Sequence, residues 1–150
     1  MAHHTIVVGY NHSGPAKAAL RWATEQAVLT SGEVLAVYVA SAVADWELAA
    51  VQFDPDPMRR ELERCLEGAW TERVRVRHVP CRTRFVYGRP AEELMKIARA
   101  EEAQLIVIGM SPRGTLTELI AGSTAHDLRK HAVRPVVTVP HGWPEATTAP

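Results

Sequence analysis

Cysteine is scarce in this chain: Cys65 and Cys81 stand alone and far apart among 150 residues. They form no C-x-x-C spacing, so nothing suggests a zinc ribbon, a dithiol redox centre or a disulfide framework. Both thiols are read as reduced, in a cytosolic protein. An excess of charge is lacking too. Lys+Arg and Asp+Glu number 17 each, which leaves no field to draw nucleic acid or an anionic membrane. The same neutrality removes self-repulsion and makes self-association easy. No apolar run approaches the ~18 residues of a membrane span. Met1-Ala-His-His-Thr5 holds no Lys or Arg, so no signal peptide is expected. Histidines do not cluster as ligands: His3 and His4 are adjacent, and His126 and His131 are five apart and share no helix face. No metal site is expected. There is no G-x-S-x-G elbow to make Ser13 a nucleophile, and no base–nucleophile pair is visible.

What the chain does have is a regular alternation of apolar runs and helical stripes. Thr5-Ile-Val-Val-Gly9 has the features of a short buried strand. Asn11-His-Ser-Gly-Pro15 is a turn, with Ser13 as N-cap and Pro15 in the first helical turn. A helix over residues 16–30 carries Ala19, Leu20, Ala23, Ala27 and Val28 on its apolar stripe and is stopped by Gly32. Glu33-Val-Leu-Ala-Val-Tyr-Val39 is a second buried strand. A short helical piece around Trp46 is expected before the break Asp54-Pro-Asp-Pro57, where Asp56 is the expected cap. A helix over 58–72 turns Leu62, Cys65, Leu66 and Ala69 inward. Residues 74–79 alternate apolar and polar and predict an edge strand, interrupted at Pro80 and resumed over 82–87. Pro90 opens a helix to about Glu102 that buries Leu94, Ile97 and Ala98. Leu105–Gly109 is the fourth strand, a last helix ends near His131, and 134–139 is the fifth strand.

Runs that are apolar throughout favour a parallel sheet covered on both faces. The order β-α-β-α-β-α-β-α-β with right-handed crossovers gives an open, doubly wound α/β sheet of about five parallel strands. Residues 1–140 are one domain, and 141–150 are expected to form a flexible tail. Ligands bind such sheets beyond the carboxyl ends of the strands. That edge collects Gly9 to Ser13, Tyr38 to Ala42, Gly88 and the glycine-bearing segment after Ile108. The segment Gly109-Met-Ser-Pro-Arg-Gly114 leads through Gly122-Ser123 into Thr124-Ala-His-Asp-Leu-Arg-Lys-His131. An apolar run, a glycine-bearing loop and a helix build an anion cradle from converging N–H groups.

These residues resemble the universal stress protein family along nearly the whole chain. The likeness rests on Ile6-Val-Val-Gly-Tyr-Asn-His-Ser13, Ala19-Leu-Arg-Trp-Ala23, Val86-Tyr-Gly-Arg-Pro-Ala91 and Leu105-Ile-Val-Ile-Gly109. The family signature is Gly, two residues, Gly, nine residues, then Gly with Ser or Thr. Gly109 and Gly122-Ser123 fit its ends, and Arg113-Gly114 fit its interior. The resemblance implies a dimer that binds ATP or AMP, with or without Mg²⁺, through Gly109, Arg113, Gly114, Gly122, Ser123 and Thr124 around the phosphates. Gly9, Asn11 and Ser13 fall near the ribose or phosphates, and Val39 near the adenine by backbone contact. It implies no catalysis beyond slow ATP hydrolysis at most.

Two positions depart from the pattern. The middle glycine is Pro112, which has a fixed φ and no N–H to give a phosphate oxygen. The acidic residue after the first strand is Asn11, which keeps an acceptor but no charge for a metal-bound phosphate. A nucleotide-free stress or adaptor protein is therefore the alternative. An ATP-consuming α-hydrolase would need an S-G-G-x-D-S loop, which residues 11–15 lack.

Arg73, Arg75 and Arg77 with Arg82 and Arg84 form a basic strip, read as a solvated edge-strand face. It lacks the aromatic interleaving of a nucleic-acid surface. The last strand, Val136-Val-Thr-Val139, is apolar, and the resemblance implies the strand order 3-2-1-4-5, which puts it at the other edge. The resemblance implies that it pairs with its twofold mate in a homodimer.

Overall fold

The computed structural model describes residues 4–40, 56–110 and 116–144, with the backbone alone over 116–123. The elements run β1 (Thr5–Gly9), α1 (Gly14–Thr30), β2 (Glu33–Ala40), α2 (Asp56–Glu67), a 3₁₀ turn (Ala69–Thr71) and α3 (Glu72–Val76). Then follow β3 (Cys81–Tyr87), α4 (Pro90–Ala100), β4 (Leu105–Met110), α5 (Leu116–His131) and β5 (Val136–Pro140). All strand pairs are parallel and the order is β3-β2-β1-β4-β5, as expected.

The period of two along each strand divides the core into two layers. Ile6, Val8, Val34 and Ala36 pack with Ala19, Ala23 and Ala27 of α1. Val7, Leu35, Val37 and Ile106 face Leu94 and Ile97 of α4 and Leu128 of α5. The small residues of α1 let it lie close to the sheet. At Gly109 a Cβ would sit 2.2 Å from the carbonyl carbon of Pro15, so this glycine is required where β4 meets the start of α1. Among the described residues no helix is long and apolar enough to cross a membrane.

Several expectations need correction. Residues 74–79 are not a strand; Glu72–Val76 is a short helix, and β3 begins at Cys81. Thr71 is the reason. Its hydroxyl donates to the Leu66 carbonyl (2.7 Å) and accepts from Arg75 (2.8 Å), folding the chain back on α2. Val74 is buried and Val76 is 67% exposed, so the alternation is met by helical rotation. The helix expected over 58–72 ends at Glu67, and Asp56 is its first residue rather than a cap before it. Helix α1 is closed by Ser31 in the left-handed region (φ 54°), and Val28 is 42% exposed rather than on the inner stripe. Gly32 serves the close approach of two backbones instead, since a Cβ there would meet the His4 carbonyl oxygen at 2.4 Å. The helix expected around Trp46 lies outside the described residues. The tail does not leave the body at once, because His141 donates from its amide to the Met110 carbonyl and the Trp143 carbonyl accepts from Arg21.

Candidate functional site

A cleft of about 350 Å³ opens at the carboxyl ends of β1, β2 and β4. Its lining is mostly apolar, from Val37, Val39, Pro90, Leu94 and Ile108 together with Pro15 and Ala16. Asn11, Ser13 and Thr124 of α5 supply its polar side chains, and Gly9 and Gly109 also line it. A Cβ on Gly9 would press on Leu94 at 3.0 Å and Ile108 at 3.2 Å.

The loop after β1 is held by its own side chains. Asn11 Oδ1 accepts from the Ser13 amide (3.2 Å) and the Ser13 hydroxyl (2.6 Å). Ser13 Oγ in turn accepts from the Ala16 amide at 3.2 Å, the expected N-cap. Asn11 Nδ2 therefore keeps its hydrogens for a ligand, with no partner among the described residues. Helix α1 itself offers an anion little. The Ala16 amide goes to Ser13 Oγ, the Lys17 amide to the Ser13 carbonyl, and Pro15 has none. Only the Gly14 amide of this first turn is left. Helix α4 offers less, because Pro90 opens it and Glu92 and Glu93 fill its first turn.

Between Asn11 and Ser13 the chain passes through the left-handed region at His12 (φ 61°), which sends its ring to the opposite side. There it stacks on Trp70 with centroids 4.4 Å apart and planes 12° apart. Burial pushes the Tyr10 phenol up to about 12, and its hydroxyl shares a hydrogen bond with His12 Nδ1 at 3.0 Å. Desolvation, and then the charge of Lys17, pull the His12 imidazole below its ordinary value, which favours the neutral ring. This brace under the cleft loop was missed in the sequence, where nothing ties Trp70 to His12.

Six expected site residues line the cleft: Gly9, Asn11, Ser13, Val39, Gly109 and Thr124. Arg113 and Gly114, like Pro112, lie outside the described residues. Gly122 and Ser123 are in α5, which starts at Leu116, inside the stretch that the sequence suggested as a loop. Amides inside a helix bond carbonyls four residues back, so those of residues 122–124 are committed within α5 rather than converging as an open nest. Pro90 and Leu94 were overlooked in the sequence. The rule that ligands sit beyond strand ends would have found them, since α4 starts at that edge. Cys81 shows no activation: burial pushes its thiol above the usual range.

The profile of the Universal stress protein family matches residues 3–140. A universal stress protein of Thermus aquaticus, from the 3′ region of a QAH/OAS sulfhydrylase gene, is 31% identical over 136 residues, 90% of this chain and 97% of that one. A solved universal stress protein of Burkholderia pseudomallei is 28% identical, with a TM-score of 0.69 over 92% of this chain and 96% of that one. One from Archaeoglobus fulgidus, solved in complex with dAMP, is 22% identical with a TM-score of 0.70, covering 93% and 99%. The last likeness concerns the fold alone.

Proposed function

The chain belongs to the universal stress protein family, and from that premise we propose that its cleft binds an adenine nucleotide, ATP or AMP. The observation that carries the reading is the mixed lining of the cleft, apolar side chains with a few polar groups among them. Val37, Val39, Pro90 and Leu94 offer an apolar slot for a flat base. Asn11 Nδ2 stands ready to donate to a ribose hydroxyl. The phosphates fall toward Gly109 and the start of α5, because α1 and α4 have spent or lack their first-turn donors. No carboxylate lines the described cleft, so Mg²⁺ arriving with ATP is held by phosphate and water rather than by these side chains. Nucleotide binding biases a partner interaction. The proposed working unit is a cytosolic homodimer joined through Val136, Val137, Thr138 and Val139.

Isothermal titration with ATP and AMP, with and without Mg²⁺, tests the reading. Heat of binding and a raised melting temperature are expected; neither at millimolar nucleotide overturns it. The second reading, a nucleotide-free adaptor, draws on Asn11 and on the helical commitment of residues 122–124. Replacing Pro112→Gly separates the two. Tighter nucleotide binding assigns the weakness to the proline, and unchanged binding removes the proline from the account.

A further inference from the structure

At the other end of the layer that holds the cleft, a groove of about 410 Å³ runs between the last turns of α4 and α5 and the turn before β5. Its accessible apolar surface comes from the half-buried Met95 and from Val133, which is 89% exposed, above the buried Ile106. Its charged surface comes from Lys96, Arg99, His131 and Arg134, and no acidic residue lines it. Lys96 has a loose, exposed partner in Glu93 at 3.3 Å. Arg99, His131 and Arg134 have no hydrogen-bond or ion-pair partner among the described residues. Six other arginines, Arg59, Arg64, Arg77, Arg82, Arg84 and Arg89, each hold a carboxylate within 3.5 Å, whereas Arg60 and Arg129, on exposed helix faces, do not among the described residues.

Cations at helix C-termini complement the helix dipole, which accounts for Arg99 and His131. It does not account for Arg134, which lies outside any helix, nor for an exposed valine set between the cations. We propose that this groove docks an extended acidic segment of a partner protein carrying an apolar side chain. Charge complementarity argues for that occupant. The apolar side chain lies on Met95 and Val133, and flanking carboxylates meet the planar forks of Arg99 and Arg134.

The groove shares its framework with the cleft. Helix α4 gives Leu94 to one and Arg99 to the other, β4 gives Ile108 and Ile106, and α5 gives Thr124 and His131. That nucleotide biases the docking rests on the nucleotide reading; the docking itself rests on the groove alone.

The test is fluorescence anisotropy of the full chain with a labelled peptide of alternating Glu and Leu. Comparison probes are a Glu/Ser peptide, a Lys/Leu peptide, inorganic triphosphate and phosphatidylserine vesicles. Saturable binding of the Glu/Leu peptide is expected, weaker with Glu/Ser, absent with Lys/Leu and reduced by salt. The variant Arg99→Glu/Arg134→Glu should lose at least about tenfold in affinity, in keeping with the cost of like charges across an interface. If that variant melts early, Arg134→Gln is read in its place, with a smaller loss expected. Failure of the Glu/Leu peptide to bind overturns the proposal, as does binding that charge reversal leaves unchanged. Retention of triphosphate or vesicles without the peptide assigns the groove to another anion and overturns it. A change in oligomeric size on charge reversal assigns the groove to a second copy, with the same consequence. Titration of AMP and ATP on the same preparation reads the cleft separately, so failure there leaves the peptide result intact.

Discussion

The two edges of the sheet are built on opposite plans. At β3 the charges are locked in place. Arg82 bridges Glu33 (2.6 Å) and Glu101 (2.8 Å), and Arg84 reaches the other oxygen of Glu101 at 2.7 Å. Arg59 of α2 then lies over the rings of Phe85 and Tyr87, at 5.6 and 5.4 Å. At β5 the strand Val136-Val-Thr-Val-Pro140 carries no charge, and no strand pairs with its outer side among the described residues. Charges and covering side chains keep an edge from pairing, and an apolar edge invites it. A chain with balanced charge thus guards one edge with charge and leaves the other apolar.

The largest effect is expected where that difference is reversed at β5. Thr138 is exposed, so Thr138→Lys leaves the fold intact. In the proposed homodimer it brings two ammonium groups together across the twofold axis. Like charges there cost several kcal/mol, on the order of a hundredfold or more in the dimer constant. Size-exclusion chromatography with light scattering should find a monomer. A dimer of unchanged strength would show that β5 is not the interface.

The reverse change belongs at β3. Arg82→Thr/Arg84→Thr removes the guarding charges and leaves Glu33 and Glu101 without these two arginines. Greater light scattering at raised concentration is expected, because an edge strand without charge is a template for association. Scattering equal to that of the unaltered protein would mean that α2, through Arg59, guards the edge by itself.

The contrast between edges was legible in the sequence, and for a simple reason. Alternation and handedness imply a parallel doubly wound sheet, the family resemblance implies its strand order, and the outer strands then differ by composition. The cleft was legible on the same logic: Gly9, Asn11, Ser13, Val39, Gly109 and Thr124 meet because strand ends and the following turns converge. What failed was information that depends on rotation or on distant contact. The basic strip holds at Arg82 and Arg84 but breaks at Arg75 and Arg77. Arg75 bonds the turn beneath Thr71, and Arg77 forms a fork with Glu25 of α1 at 2.9 and 3.0 Å. An alternation over five or six residues fits a strand or one helical turn and a half, and tertiary contacts decide between them. The stack of His12 on Trp70 joins segments that carry no mutual signal along the chain.

A smaller effect sharpens the ion pairs at β3. Glu101→Gln deprives both Arg82 and Arg84 of one charged partner. The arginine side chains are 44% and 38% exposed, so solvent screens much of the gain. About 1 kcal/mol at most is expected, a fall of roughly 2–4 °C in Tm by calorimetry. No fall would place the guarding function in charge alone, with nothing added to stability.

The smallest effect is the pH dependence of that difference, and its sign is fixed. The guanidinium of Arg82, then that of Arg84, holds the Glu101 carboxyl below its ordinary value of 4.5. A depressed folded value means that the unfolded chain takes up the proton first as pH falls. The stabilisation is therefore fully present above the ordinary value and is lost as pH drops through the folded one. Denaturant titrations of the unaltered protein and the glutamine variant should differ by a constant amount near neutrality and converge below about pH 4.5. Curves that stay parallel into acid would mean that the carboxylate's charge contributes nothing, and that the two arginines are held at this edge by geometry alone.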